Sequence, residues 1–469
     1  MIKSTLTFIF TIGILMASTL PPYKSKTLKN GLQIVVIEMR NSSKVITTDV
    51  FYKVGSRNEV MGKSGIAHML EHLNFKSSKN LKSGEFDEIV KSYGGMNNAS
   101  TGFDYTHYFI KSSTRNLDQS LSLFAELMQN LNLLDEEFQP ERNVVAEERR
   151  WRTDNNPMGY LYFNLFNNAY VYHPYHWTPI GFMNDIQNWS IDDIKSFHSK
   201  YYRPNNAIIV VAGDVSADEV FSSAEKNFGK IENLVDEKEN VQVIQKQANV
   251  ESKDFIPLEK VEENIEIKAN DDKNKHFKEP KQNGAKRVIV HKDTEVEMLA
   301  IAYHIPDFLH EDQSALTAIS ELLSSGKSSR LYKVLIHEKQ MANQVYAYNM
   351  ENIDPALFLF IAVANPGVAA EAIEREILTI LHEIKTKKVS KEELDKIKIN
   401  TTSDFVYSLE SSSSVADLYG SFLARGSLEP LLTYEDNILK LKPKEIKKIA
   451  QKYFKSENST TIILRKEDK

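Results

Sequence analysis

Cysteine is missing altogether from the 469 residues. That excludes disulfides, thiol catalysis and a lipid-modified N-terminal Cys, and it is compatible with an oxidising compartment without demanding one. A surplus of positive charge is missing too. Against 58 Lys and Arg stand 64 Asp and Glu, a net charge of −6, which gives no reason to expect a nucleic acid as partner. Long hydrophobic runs are confined to the N-terminus, where Leu6–Ala17 follows Lys3 and precedes the small residues Ser18 and Thr19. A positive start, a short apolar region and small residues describe a secretory signal peptide over residues 1–20. The run is short for a membrane span, which needs about 20 residues, but no clean Ala-x-Ala site follows it, so an uncleaved anchor is the alternative. No other segment approaches transmembrane length. The remainder reads as a soluble, exported protein, periplasmic or secreted, with no stable membrane span once the signal is removed.

What is there is concentrated at His68-Met69-Leu70-Glu71-His72. No Pro or Gly interrupts Ile66 to Lys76, and helix formers dominate, so the spacing predicts a helix with both imidazoles and the carboxylate on one face. Two histidines supply a first pair of zinc ligands, and Glu71 between them is placed to take a proton from a water at the open coordination position. His-x-x-Glu-His is the order called inverzincin. The bland alternative is a surface helix with two unrelated histidines. A third ligand is sought in the stretch from Glu141 to Trp151, which reads as a helix with Val144, Val145 and Trp151 in the core. Glu141 and Glu148 lie two turns apart on nearly the same face. Spacing alone makes neither a ligand.

These motifs resemble the pitrilysin/insulinase family of zinc metallopeptidases, most closely its two-domain bacterial branch and the mitochondrial processing peptidase. Further segments carry the likeness: Gly94 to Thr101, Asp104-Tyr105-Thr106, His173-Pro174-Tyr175-His176-Trp177, and Tyr202 to Asn206 followed by Ala207 to Val215. The resemblance implies that His68, His72 and Glu148 bind one Zn2+ and that Glu71 is the general base. It makes Glu141 a supporting carboxylate near the metal, and points Glu147 elsewhere. It also implies that Asn98, Ala99, Ser100 and Thr101 form an exposed edge strand where an extended peptide substrate adds as another strand. His173 and His176 read as loop packing rather than ligands, and His304, His310 and His337 receive no role.

The chain is too long for one typical core. Laid over each other, Ile194 onward and Ile446 onward share Ile-Lys, Lys-Tyr-aromatic and, further on, Asn206 with Asn458, as expected for a duplicated helix–turn–strand unit. Each half opens with β-signals, Leu32 to Ile37 and Val45 to Val54 in the first, Arg287 to His291 and Met298 to His304 in the second. Helical periodicity is clear at Leu117, Leu121, Phe124 and Met128, and at Ile373, Ile377, Ile380 and Ile384. The expected fold is α+β: two homologous domains, each a mostly antiparallel sheet with packed helices, spanning 21–234 and 287–469. Residues 235–286, rich in Lys, Glu, Asp, Asn and Gln, form a charged linker between them.

The second half keeps Glu321 where Glu71 stands but has Ala318 and Leu322 in the histidine positions, so one metal per chain is expected. The resemblance also implies an Arg and a Tyr from the second domain that hold substrate. Here His337 and Gln344 occupy those positions, and Arg330 and Tyr332 are the substitutes to test. Three functions compete: a self-sufficient endopeptidase, a catalytic subunit that works as a homodimer or beside a related partner, and a peptide-binding scaffold without turnover.

Overall fold

The computed structural model describes residues 19–39, 42–233 and 278–467. The expected signal segment up to Ser18, and residues 235–277 of the expected linker, lie outside the described residues. Among the described residues, no helix is long and apolar enough to cross a membrane.

Two sheets form. The first takes β1 (Tyr23–Thr27), β2 (Gln33–Glu38), β3 (Val45–Tyr52), β4 (Met96–Thr101), β5 (Thr106–Ser113) and β6 (Ala207–Gly213), in the order β1-β2-β6-β3-β5-β4. The second takes β7 (Lys286–Lys292), β8 (Met298–His304), β9 (Ala342–Asn349), β10 (Leu357–Ala364) and β11 (Ser459–Lys466), in the order β7-β11-β8-β10-β9. Strip β1 from the first and the two orders coincide, down to one parallel pair in each, β2 with β6 and β7 with β11. The remaining pairs are antiparallel. The shared asparagines have a structural reason. Asn206 donates to the carbonyl of Tyr201 at 2.9 Å, and Asn458 donates to that of Tyr453 at 3.1 Å, closing the same turn before β6 and β11.

The first half carries helices α1 (Ile66–Leu73), α2 (Glu85–Ser92), α3 (Leu117–Asn130), α4 (Asp135–Arg149), α5 (Pro157–Ala169), α6 (Met183–Asn188), α7 (Ile191–Tyr201) and α8 (Ala217–Phe228). Two elements cross over. Helix α5 lays Leu161, Leu165 and Phe166 on β8 and β11 of the second sheet. In return, the helix Ser412–Arg425 lays Val415, Ala416 and Tyr419 on β3 and β6 of the first. Each half therefore completes the core of the other, an exchange that local periodicity does not reveal because it says which face of a helix is apolar and not which sheet receives it.

Gly420 marks how close that contact is. A Cβ there would lie 2.0 Å from the ring of Phe51. Phe51 is fully buried and stacked on His107 at 4.1 Å, so the ring has nowhere to move. Gly420→Ala gains about 1 kcal/mol of helix propensity and loses about 1–3 kcal/mol or more to overpacking. The expected outcome is a net loss of stability, read as a lower urea midpoint; a midpoint at or above wild type would mean that the helix moves off the sheet without cost.

A buried polar network also joins the halves. Arg57, after β3, donates through Nε and a terminal nitrogen to Oδ2 of Asp354 at 3.1 and 2.8 Å. His173 Nε2 meets the same oxygen at 3.0 Å. Asp104 accepts from Asn352 Nδ2 at 3.1 Å, from the Ile353 amide at 3.0 Å and from the Tyr175 hydroxyl. His176 Nδ1 lies 2.8 Å from the Tyr170 carbonyl. Both histidines of this loop are thus engaged in packing contacts.

Candidate metal and peptidase site

Helix α1 buries Ile66, Ala67, Met69, Leu70 and Leu73, and this apolar stripe turns His68, Glu71 and His72 toward α4 and β4. Helix α4 meets it with Glu148. Glu148 Oε2 lies 3.5 Å from His68 Nε2 and 3.4 Å from His72 Nε2. One ligand atom from each of the three falls within 4.8 Å of the others, the one such group of three among the described residues. The chemistry of the set suits a tetrahedral zinc, for which ligand atoms about 2.0–2.1 Å from the ion stand about 3.3 Å apart. The two separations from Glu148, 3.5 and 3.4 Å, match that spacing.

The electrostatics divide the two histidines. Burial pushes His68 down to about 4, so its imidazole is neutral and offers a lone pair at neutral pH. Burial also opposes charge on His72, but hydrogen bonds to Glu141 and Glu148 outweigh it and push the ring up to about 9. A cation at His72 Nε2 therefore exchanges for a proton. His72 Nδ1 lies 2.8 Å from Glu141 Oε1, and Lys76 Nζ holds the other oxygen of Glu141 at 2.6 Å. Burial raises both Glu141 and Glu148, yet their cationic neighbours win and hold them below the usual carboxylate range. For Glu148 one such neighbour is Arg152, whose Nε sits 2.9 Å from Oε1.

Glu71 behaves in the opposite way. Burial raises its pKa, against a hydrogen bond from Thr101 Oγ1 to Oε2 at 2.6 Å. Thr101 ends β4, the strand at the edge of the first sheet, and beside it opens a cleft of about 340 Å³ lined by Glu71, His72, Lys76, Asn97, Asn98 and Glu141. Asn98, Ala99, Ser100 and Thr101 alternate between exposed and half-buried along that edge.

Other expectations come out differently. Val144 and Trp151, read as core from the sequence, are 50% and 72% exposed, while Val145 is buried. The α-helix ends at Arg149 and passes into a π-helical turn at Arg150–Asp154, where the Asn155 amide bonds the Arg150 carbonyl five residues back. Seven residues apart, Val144 and Trp151 share one helix face, and that face is turned to solvent, while the buried stripe runs through Phe138, Val145 and Arg149. Glu147 points to solvent and pairs with Arg150. In the second half, the helix Gln313–Ser324 buries Ala318 and Leu322 in the core, and no ligand group forms there among the described residues. Arg330 is engaged by Glu393, with two bonds of 3.0 Å, and Tyr332 opens a π-helical turn. Among the described residues, no hydrogen bond or ion pair ties either to the His68–Glu148 cluster. Lys76, Thr101 as a partner of Glu71, and Arg152 were not singled out for these contacts from the sequence; each is an ordinary polar residue until the fold brings it in.

Comparison with known proteins shows the family to which the chain belongs. The profile described as "Insulinase (Peptidase family M16)" matches residues 34–176, and "Peptidase M16 inactive domain" matches residues 188–401. The zinc protease PqqE of Helicobacter pylori is 52% identical over 458 residues, covering 97% of this chain and 96% of that protein. The crystal structure of a protease from Helicobacter pylori, also 52% identical, superposes with a TM-score of 0.85 over 95% of this chain and 100% of that one. A relative from Arabidopsis thaliana that carries the name of a mitochondrial-processing peptidase subunit beta is 25% identical over 450 residues, 92% of this chain and 76% of its own length. The chain belongs to peptidase family M16, the insulinase family, in both its halves.

Proposed function

We propose that this chain is a zinc-dependent endopeptidase that hydrolyses extended or unfolded peptides, with one Zn2+ held by His68, His72 and Glu148. The observation that carries the proposal is the meeting of these three side chains beside Glu71 and the edge of β4. When bound, zinc supplies Lewis acidity, lowering the pKa of a water at its open position and polarising the scissile carbonyl. Glu71 takes the proton from the attacking water and returns it to the departing amine. A carboxylate raised by burial is better matched to both transfers near neutral pH than one at its ordinary value.

The other residues position these. Glu141 orients His72 through Nδ1, and Lys76 anchors Glu141 in turn. Thr101 fixes one oxygen of Glu71 and leaves the other for the proton. An extended substrate pairs its main chain with the edge formed by Asn98, Ala99, Ser100 and Thr101, which reads little sequence and favours broad specificity. The engagement of Arg330 by Glu393 favours a supporting role for Arg330, and neither it nor Tyr332 is assigned to substrate. The Leu6–Ala17 run behind Lys3 supports export to the periplasm or beyond the cell.

A quenched peptide incubated with the isolated chain tests this. Cleavage is expected, lost with chelator and restored by zinc. Glu148→Gln is expected to weaken zinc binding, and Glu147→Gln to leave it unchanged. Cleavage insensitive to chelator would overturn the metal reading, and loss of zinc from the Glu147 variant alone would reassign the third ligand. Zinc bound without cleavage, with activity gained on adding a related subunit, would make the chain half of an enzyme.

A further inference from the structure

The cap of helix α1 is Gly65, which has no side chain to offer and adopts φ 88°, a conformation suited to glycine. Helix starts carry amide groups without intrahelical partners. In α7, α8 and the helix Lys391–Tyr407, Ser190, Ser216 and Ser390 satisfy one of them locally. At α1 the partner is Glu59, six residues before the cap. Its Oε2 accepts from the Gly65 amide and its Oε1 from the Ala67 amide, both at 2.8 Å. A third donor comes from far along the chain, Trp177 Nε1, at 2.7 Å from Oε2. Glu59 is 3% exposed. Burial pushes its carboxyl up to about 8, against three donors that favour the ionised form. A buried acid is an expensive cap where a serine would satisfy the helix alone.

The difference is reach. Trp177 opens a loop that runs into α6, and this segment also anchors the residue before the cap. Asp185 Oδ2 accepts from the Ser64 amide at 3.0 Å and from Ser64 Oγ at 2.6 Å. The same loop holds the other side of the metal site, because Arg149, next to Glu148, donates to the Gly181 carbonyl. Gly181 packs so tightly on the start of α1 that a Cβ there would lie 2.5 Å from the Ser64 carbonyl. The beginning of the histidine helix and the end of the glutamate helix are thus tied to one loop.

We propose that Glu59 is a positioning residue for the metal site, bracing α1 against Trp177 so that His68 and His72 stand at ligand distance from Glu148. The inference rests on the zinc peptidase reading. Ligand distances tolerate about ±0.2 Å, and Ala67, which Glu59 holds, is the residue before His68. Gln at 59 keeps the shape but turns an amide NH2 toward one of the three donors.

The test is the zinc dissociation constant of full-length Glu59→Gln, read by competition with a chromophoric chelator, together with kcat at saturating zinc. Expected is a 10- to 100-fold weaker constant, the range seen when a residue behind a metal ligand is removed, with circular dichroism unchanged. Trp177→Phe removes one donor only and is expected to shift the constant in the same direction by less; it decides the matter if the Glu59 variant fails to fold. Wild-type zinc affinity and kcat in a folded Glu59→Gln with a lowered thermal midpoint would reduce Glu59 to a structural cap and overturn the inference. Absence of zinc binding by the wild-type chain would instead overturn the peptidase reading.

Discussion

Glu71→Gln is expected to lower kcat for peptide hydrolysis by about 10²–10⁴-fold, the contribution typical of a positioned general acid–base group, while zinc binding and KM stay near wild type. The separation follows from the geometry. Glu71 shares the α1 face with His68 and His72 but is not among the three groups that converge, and its Oε2 is occupied by Thr101. Gln keeps an oxygen for that hydroxyl, so the cleft retains its shape, and what disappears is the capacity to hold and return a proton. Single-turnover cleavage of a quenched peptide, with zinc content measured on the same preparation, gives the answer. A variant that cleaves at the wild-type rate removes Glu71 from the chemistry. One that loses zinc as well as rate would make it part of the metal site instead.

Asp354→Ala should produce the largest loss of stability, about 3–5 kcal/mol, the cost of breaking a buried ion pair by deleting one partner. Asp354 Oδ2 receives two nitrogens of Arg57 and one of His173, and the Arg57 side chain is 4% exposed. Deleting the carboxylate takes two charge-assisted bonds from a guanidinium held in the interior. Asp354→Asn keeps an acceptor oxygen without the charge and should fall between the two. Urea unfolding followed by tryptophan fluorescence measures both; a loss under about 0.5 kcal/mol, the range of ordinary surface substitutions, would show that water or rearrangement compensates. The network crosses from one half to the other, so the alanine variant should also unfold less cooperatively, with the two sheets separating into distinct transitions.

How much of this was open to a reader of the sequence depends on how local each cause is. The His68–His72 face is a matter of helical period, and α1 forms where the spacing places it. The duplication was visible in a few shared residues because the turn before β6 and β11 needs the same asparagine. Trp151 went astray because it was placed with Val144 on the core face, and the neighbouring stripe through Phe138 and Val145 is the one that packs. Glu59 and Asp354 carry no signal at all. A buried acid in a turn looks like a solvated one until the residues that donate to it, more than a hundred positions away in the case of Trp177, are brought against it. The exchanged helices fall in the same class, for their amphipathic pattern is plain and their destination is not.

That exchange has a consequence for how the chain comes into being. The strands β3 and β6 are complete by Gly213, but the helix that covers their outer face ends at Arg425, about 200 residues later. At synthesis rates of about 5–20 residues per second, the apolar face of Phe51, Ile208 and Val210 waits roughly 10–40 s for its cover. During that interval the first half is a sheet with one side unfinished, a target for holding chaperones and for association with other nascent chains. A first half made alone would keep that face without the helix that covers it in the whole chain.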